Sequence, residues 1–364
     1  MTSTRRLLAL LVAMALVAAA CGDDDDTADG DAATDGEGAE AAADCGTIDF
    51  LQPIPESIIF WPLLVGNELG YFAEEGIEVN LLPGGELPET AFVENGDADI
   101  ASAGGPEVLQ AIDAGSDLVV VYDYWNVAAE GIVTLAGGPS SVEEIADGTF
   151  GLVTDSDLAT ISVVFEELGL DPSTANTVVL GESPAILAEA LENGDVDAIA
   201  GAIIDFIGMQ ASGLEIVDIT PPGFKASPSA SFIVTPDTMA NNSTCIEGFL
   251  RAWAKGTHAG LHNAENTQAI ARAAVPEEWE DEAAGVASYD QSVAPHRPVG
   301  SDGQYGVVQV DVWQGVAEQL VGTGDLDTQD IDVTAFVDQS LIDGANDWDR
   351  SEVEAEIDDW SADG

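Results

Sequence analysis

The chain holds three histidines, His258, His262 and His296. His258 and His262 are four apart on a predicted helix, a spacing at which two imidazoles can share a metal ion. The pair lacks the following Glu of a zincin-like motif, so surface or packing roles are expected, with no metal site. No Gly-x-Ser-x-Gly, P-loop or dinucleotide fingerprint is present, so no catalytic residue and no cofactor are assigned. What remains is non-covalent contact. Ser102-Ala103-Gly104-Gly105 closes a predicted strand just before a helix opened by Pro106, where backbone N–H groups can approach a ligand closely. Thr154-Asp155-Ser156 repeats that arrangement further along. Asp205 ends an apolar run, where a carboxylate can bind an amine or hydroxyl. Trp61, Tyr124 and Trp125 can stack on a planar molecule. Each has a plainer alternative: Ser102 and Ser156 as turn residues, Asp205 as a helix cap, Trp61 as core.

The elements that must carry these residues alternate between strand and helix. Strands are predicted over Thr47–Leu51, Ile77–Leu82, Ala98–Ala101, Leu118–Tyr122 and Gly131–Leu135. Helices are predicted over Ile58–Leu69, Pro88–Asn95 and Pro106–Ala114. After Gly137-Gly138-Pro139 the pattern restarts. Ser141-Val142-Glu143-Glu144 reads as a capping box. Strands follow at Phe150–Val153, Thr177–Leu180, Val196–Ile204 and Glu215–Ile219, with helices at Asp157–Leu168, Pro184–Asn193 and from Asp205. Pro221-Pro222-Gly223 interrupts, Ser231–Thr235 is a strand again, and the chain is mostly helical from Cys245. Ser288–Tyr305 reads as a long irregular stretch within that part. Alternating units of this kind imply α/β architecture with parallel-rich sheets flanked by helices.

The first residues carry an address. Arg5 and Arg6 precede an unbroken apolar run, Leu7–Val17, of about eleven residues, which suits a signal sequence and is too short to span a bilayer. Val17-Ala18-Ala19-Ala20-Cys21 resembles a bacterial lipobox. In that class of signal the peptide (residues 1–20) is removed and Cys21 is acylated, anchoring the protein to a membrane. The alternative is an ordinary secretory signal with a chance cysteine. Residues 21–44 are Asp, Glu, Gly, Ala and Thr after Cys21, with nothing to bury. They are expected to form a disordered acidic tether.

Formal net charge is −60, from 68 acidic and 8 basic residues, which excludes a nucleic-acid partner because phosphates need a basic surface. Hydrophobic residues make up 46% of the chain, enough to build a core beyond the tether, so the acidity reads as a salt-adapted surface screened by its medium. With Cys21 committed to lipid, Cys45 and Cys245 remain. In an exported chain they suggest one disulfide, with two buried thiols as the alternative.

Four blocks then appear in order. Trp61-Pro62-Leu63-Leu64-Val65-Gly66-Asn67-Glu68-Leu69-Gly70-Tyr71-Phe72-Ala73-Glu74-Glu75-Gly76-Ile77-Glu78-Val79 resembles the opening block of the nitrate, sulfonate and thiamine-pyrimidine-precursor binding family of ABC importers. Asn95–Ala101 resembles its second block, Asn193–Ala198 its third, and Ser231–Pro276 the block where the chain re-enters its first lobe. The resemblance implies a two-lobed type II periplasmic-binding-protein fold with two interlobe crossovers. These are expected near Ala136-Gly137-Gly138 and Phe224-Lys225-Ala226, giving a first lobe of residues 45–137 and 226–364 and a second of 138–225. It further implies a monomer at the extracytoplasmic face of the cell membrane, delivering a small molecule to an ABC permease. With so few basic residues, a neutral or cationic heterocycle such as a pyrimidine thiamine precursor is favoured over a sulfonate or nitrate. One branch of the resembling family consists of pyrimidine-synthesis enzymes with a cysteine-rich iron motif, which is absent here. An enzyme on this fold is therefore the lesser alternative.

Overall fold

A computed structural model describes residues 45–54, 56–84, 87–300 and 303–362. The signal sequence, Cys21 and the acidic tether lie outside the described residues. The first lobe opens with β1 (Gly46–Leu51), α1 (Trp61–Glu68), α2 (Tyr71–Glu74), β2 (Ile77–Leu82), α3 (Glu89–Glu94), β3 (Ile100–Ala103), α4 (Gly105–Asp113) and β4 (Val119–Val127). The second lobe holds β5 (Glu130–Leu135), β6 (Thr149–Leu152), α5 (Leu158–Glu167), β7 (Asn176–Val179), α6 (Pro184–Asn193), β8 (Ala198–Ala202), α7 (Ile203–Ala211), β9 (Ile216–Asp218) and α8 (Pro222–Lys225). β10 (Ala226–Val234) returns to the first lobe. It is followed by α9 (Pro236–His262), α10 (Ala264–Ala274), α11 (Glu282–Val293), α12 (Val310–Thr323), α13 (Ile342–Ala345) and α14 (Arg350–Asp359).

Each lobe is built on a five-stranded sheet, ordered β2-β1-β3-β10-β4 in the first and β7-β6-β8-β5-β9 in the second. β1, β2 and β3 are parallel, as are β6, β7 and β8. β10 runs antiparallel to β3 and β4, and β5 antiparallel to β8 and β9. The expected first boundary at Gly137 is corrected by this pairing. β5 bonds to β8 and β9, so the chain crosses to the second lobe between Val127 and Glu130. Gly137-Gly138 forms only a tight turn, with the Gly138 N–H donating to the Leu135 carbonyl at 2.9 Å. The return crossover lies where α8 meets β10, at Lys225–Ala226.

Apolar residues bury on both faces of each sheet, as buried parallel strands require. On one face of the first sheet, Phe232 of β10 lies 4.8 Å from Trp253 and 5.5 Å from Phe50 by ring centroids, both edge-on. Edge-to-face pairs of this kind add about 0.5–1.5 kcal/mol each beyond their buried area. α9 packs against α1 through Gly256 and Gly260. A Cβ at Gly256 would meet the Pro62 carbonyl oxygen, and one at Gly260 the Trp61 ring. Cys45, just before β1, is joined to Cys245 in α9, with Cα atoms 5.6 Å apart and 200 residues between them in sequence.

The irregular stretch expected over Ser288–Tyr305 is shorter than the sequence pattern suggested, because α11 continues to Val293. Asp281 caps this helix by accepting from the N–H groups of Ala283 and Ala284. Its buried positions are Gly285, Ala287, Tyr289 and Ser292, too small or polar to show an apolar period.

Candidate functional site

A cleft of about 850 Å³ opens between the lobes. Three second-lobe helices, α5, α6 and α7, begin at it, each following a strand or loop at the C-terminal edge of the sheet. Phe224 of α8 and Glu130 at the start of β5 complete that wall. Pro106 of α4 and Gln319 of α12 face them from the first lobe. Helix N-termini carry about half a positive charge from unpaired N–H groups and favour anionic neighbours. Here the chain supplies its own. Asp157 Oδ2 accepts from the Thr154 N–H at 2.6 Å and from Thr154 Oγ1 at 3.1 Å. Asp205 Oδ2 accepts from the Ala202 N–H at 2.8 Å. Glu182 stands just before the start of α6 and lines the same wall.

Among the described residues the cleft wall therefore carries four carboxylates, Glu130, Asp157, Glu182 and Asp205, and no lysine, arginine or histidine. Burial pushes the Asp205 carboxyl above its ordinary range. The charges of Asp157 and Glu182 add to this, and the Ala202 N–H partly opposes it. Four basic side chains are engaged elsewhere. Lys225 pairs with Asp218 at 2.5 Å, Lys255 with Glu74 at 2.9 Å, Arg251 with Glu75 at 2.7 Å and with Glu247, and Arg272 with Glu282. Thr154, Ser156 and Thr160 contribute hydroxyls to the wall, while Val153, Val163, Pro184, Ile204 and Phe224 give it an apolar lining.

Of the sequence candidates, Thr154, Ser156 and Asp205 meet at this cleft. Asp205 caps α7 and faces the cleft at once, so its two readings coexist. The first-lobe loop reaches the cleft one turn later than expected, at Pro106. Ser102 and Ala103 are buried, and Gly104 is half-buried. Ser102 Oγ spends its hydrogen bond on the Tyr124 hydroxyl, 2.6 Å away inside the core.

The expectation that Trp61, Tyr124 and Trp125 line the cleft is corrected: all three are buried in the first-lobe core. The Trp61 indole N–H donates to Ser292 Oγ at 3.0 Å, Tyr124 stacks on Phe232 at 4.6 Å, and Trp125 lies against Phe60 and His296. α11 and the segment after it cover them, an element the sequence pattern did not reveal. Glu130, Asp157, Glu182, Phe224 and Gln319 were missed. Glu182 and Asp157 were findable by the strand-end rule that yielded Thr154, whereas nothing local marks Gln319.

The histidine pair takes packing and surface roles. His258 Nε2 lies 3.1 Å from Glu354 and its Nδ1 3.0 Å from the Tyr305 hydroxyl, while His262 Nε2 lies 3.2 Å from Asp358. Among the described residues no group of three or more His, Cys, Asp or Glu side chains is arranged to hold a metal ion.

Two parallel-rich sheets, two crossovers and an interlobe cleft at helix N-termini define a periplasmic-binding-protein fold. The chain superposes with a TM-score of 0.58 on the periplasmic aliphatic sulphonate binding protein SsuA from Escherichia coli. Identity is 16%, covering 82% of this chain and 99% of that one. A putative sulfonate ABC transporter periplasmic protein from Methylobacillus flagellatus KT gives 0.57 at 14% identity, over 83% of this chain and 94% of that one. The desulfurization enzyme DSZB gives 0.51 at 14% identity, over 82% and 98%. No curated protein sequence matches the chain. Residues 58–267 match the NMT1/THI5-like family model, and the chain belongs to that family.

Proposed function

We propose that this protein is an extracytoplasmic solute-binding lipoprotein that captures a neutral or cationic small molecule between its lobes and delivers it to an ABC permease. The observation that carries the charge preference is the cleft wall, with four carboxylates and no basic side chain among the described residues. At an effective dielectric of about 20, a cation about 4 Å from one carboxylate gains about 4 kcal/mol before desolvation, and an oxyanion loses as much. The N–H groups of Thr154 and Ala202, which could otherwise receive an oxyanion, already bond to Asp157 and Asp205. A pyrimidine-like heterocycle bearing an amino group fits this wall: its ring would lie on Phe224, its amino group on Asp205, and its rim on Ser156 and Thr160. The lipobox at Cys21 supports membrane anchoring, and the likeness to sulphonate-binding proteins supports a binding role.

The fold shared with sulphonate binders favours one second reading, an anion ligand. Isothermal titration against aminopyrimidines, alkylammonium compounds, alkanesulfonates and nitrate separates the two. The expected result is saturable binding of an amino-bearing or cationic compound. Tight sulfonate or nitrate binding with no response to the others would refute the charge preference, and turnover of a bound compound would refute the transport reading.

A further inference from the structure

Of the six basic residues in the described part of the chain, five have partners. Lys225, Arg251, Lys255 and Arg272 pair with carboxylates. Arg350 donates to the Gly303 carbonyl at 2.6 Å and lies over the Tyr305 and Trp348 rings. Arg297 is exposed, and among the described residues its guanidinium has neither an ion pair nor a hydrogen bond. An unpaired arginine is an exception in a chain with 68 acidic residues and 8 basic ones. Its backbone is nonetheless fixed. The Arg297 N–H donates to the Ala294 carbonyl at 3.2 Å, and Pro298 restricts the conformations open to the residue before it.

Arg297 lines a pocket of about 360 Å³ in the first lobe, with His258, Leu261, His262, Pro298 and Tyr305. None of these six residues lines the interlobe cleft, and the two walls are opposite in charge. Where the cleft has four carboxylates, this pocket has an arginine and two of the three histidines, and no carboxylate among the described residues. The carboxylates of α14 stand behind the imidazoles. Burial lowers the His258 pKa, with Glu354 opposing, so the ring is neutral. Its Nε2–H donates to Glu354 at 3.1 Å and its Nδ1 accepts from the Tyr305 hydroxyl at 3.0 Å. His262 Nε2 lies 3.2 Å from Asp358. The charge of Arg297 reaches this wall, since with Arg350 it opposes the burial that pushes the Tyr305 hydroxyl up to about 12. The unspent group is thus the Arg297 fork, with five N–H donors in one plane. Leu261, Pro298 and the Tyr305 ring give the pocket an apolar side. We propose that this pocket is a second ligand site, separate from the cleft, for a small organic carboxylate. The Arg297 fork takes the carboxylate through two parallel N–H···O bonds, and the apolar body lies on Leu261, Pro298 and the Tyr305 ring. Two-point contact favours a planar carboxylate over a monatomic anion such as chloride. Repulsion from the distant acidic surface is screened beyond about 8 Å at physiological salt, whereas the fork acts at contact. The site is independent of the charge preference of the cleft.

Benzoate is the probe, and benzamide, of the same shape without the charge, is its control. Isothermal titration at an ionic strength of about 0.15 M is compared for the full-length wild-type protein, Arg297→Met and Asp205→Asn. Wild type is expected to bind benzoate saturably and benzamide at least tenfold more weakly. Arg297→Met keeps an apolar stem of similar length and is expected to lose at least tenfold in benzoate affinity. Asp205→Asn removes a repelling carboxylate from the cleft and is expected to leave benzoate binding unchanged. No saturable benzoate binding, or benzamide binding as tightly as benzoate, would overturn the carboxylate site. Arg297→Met binding benzoate as tightly as wild type would overturn the role of Arg297. If that result came with tighter binding in Asp205→Asn, benzoate would be placed in the cleft and not in this pocket.

Discussion

Asp123 is a carboxylate at the centre of the first lobe. It lies in β4, fully buried. It accepts from Ser231 Oγ at 2.5 Å, from the Trp313 indole N–H at 3.1 Å and from the Gln309 N–H at 3.4 Å. Burial pushes its pKa up from 3.8 to about 6, with the three donors opposing. Folding is therefore linked to its proton. Below pH 3.8 both states hold the proton and the linkage is silent. As pH rises toward 6 the unfolded chain releases its proton while the folded protein keeps it, so stability falls. At 1.36 kcal/mol per pKa unit, a shift of about 2.2 units makes the full loss about 3 kcal/mol, of which about 2 kcal/mol falls between pH 4.5 and 7.5. Asp123→Asn has no such proton. Its amide can donate to Ser231, whose hydroxyl rotates to accept, and its oxygen can still receive Trp313. The stability of the variant relative to wild type should therefore rise by about 2 kcal/mol from pH 4.5 to 7.5. Urea unfolding followed by tryptophan fluorescence, at constant high salt to hold the other charges screened, reads this difference. Parallel curves, with a difference constant to about 0.5 kcal/mol across that range, would refute the reasoning and mean that Asp123 is ionised at its ordinary pKa.

Asp205→Asn and Glu182→Gln should each weaken binding of a cationic cleft ligand by about tenfold in titration calorimetry, the size of one lost charge-assisted contact of 1.5–3 kcal/mol reduced by solvent. Because the Asp205 pKa is raised, wild-type affinity for that ligand should also fall as pH drops through the raised value, while Asp205→Asn shows a flatter profile. Cys245→Ser opens a 200-residue loop and should cost up to about 5 kcal/mol, visible as a lower urea midpoint; an unchanged midpoint would show the bridge does not constrain the unfolded chain. Mass spectrometry of protein isolated from membranes should find Cys21 acylated at the mature N-terminus, and an unmodified peptide spanning Ala20–Cys21 would exclude the anchor.

Local signals carried the parallel strands and the helices that follow them, because β1 and β2 alternate apolar with polar residues and β6 and β8 read as short runs of small and apolar residues, closed by Gly, Pro or capping residues. They failed where a partner distant in sequence makes the element. Ala226-Ser227-Pro228-Ser229-Ala230 reads as a loop, yet it begins β10, held by pairing to β4 through register shifts that accommodate Pro228. The first crossover was hidden for a related reason. Gly137-Gly138-Pro139 is the stronger punctuation, but membership of a sheet is decided by the pairing of β5 with β8, whose residues lie far along the chain. Trp61 shows the same limit at the site. Its hydrophobicity suits a ligand platform or a core equally, and its partner Ser292 stands 231 residues away.

The acidic cleft follows from helix chemistry that was legible in part. A helix N-terminus facing a cleft is a generic anion site only while its N–H groups are free. In the short 3-10 turn leading into α5, and in the first turn of α7, an aspartate, Asp157 or Asp205, folds its carboxylate back onto the N–H of the residue three positions earlier. The same residue then does two things at once. It neutralises the dipole that would attract an oxyanion, and it leaves a net negative charge on the wall, which Glu182 and Glu130 increase. The Asp205 pKa records the cost, since burial and the repulsion of Asp157 and Glu182 both favour its neutral form. A bound cation would remove that repulsion and replace water around Asp205 with a charge-assisted bond. Ligand binding and full ionisation of the wall are therefore one coupled equilibrium, and the charge of the ligand is set by the caps of the helices that hold it.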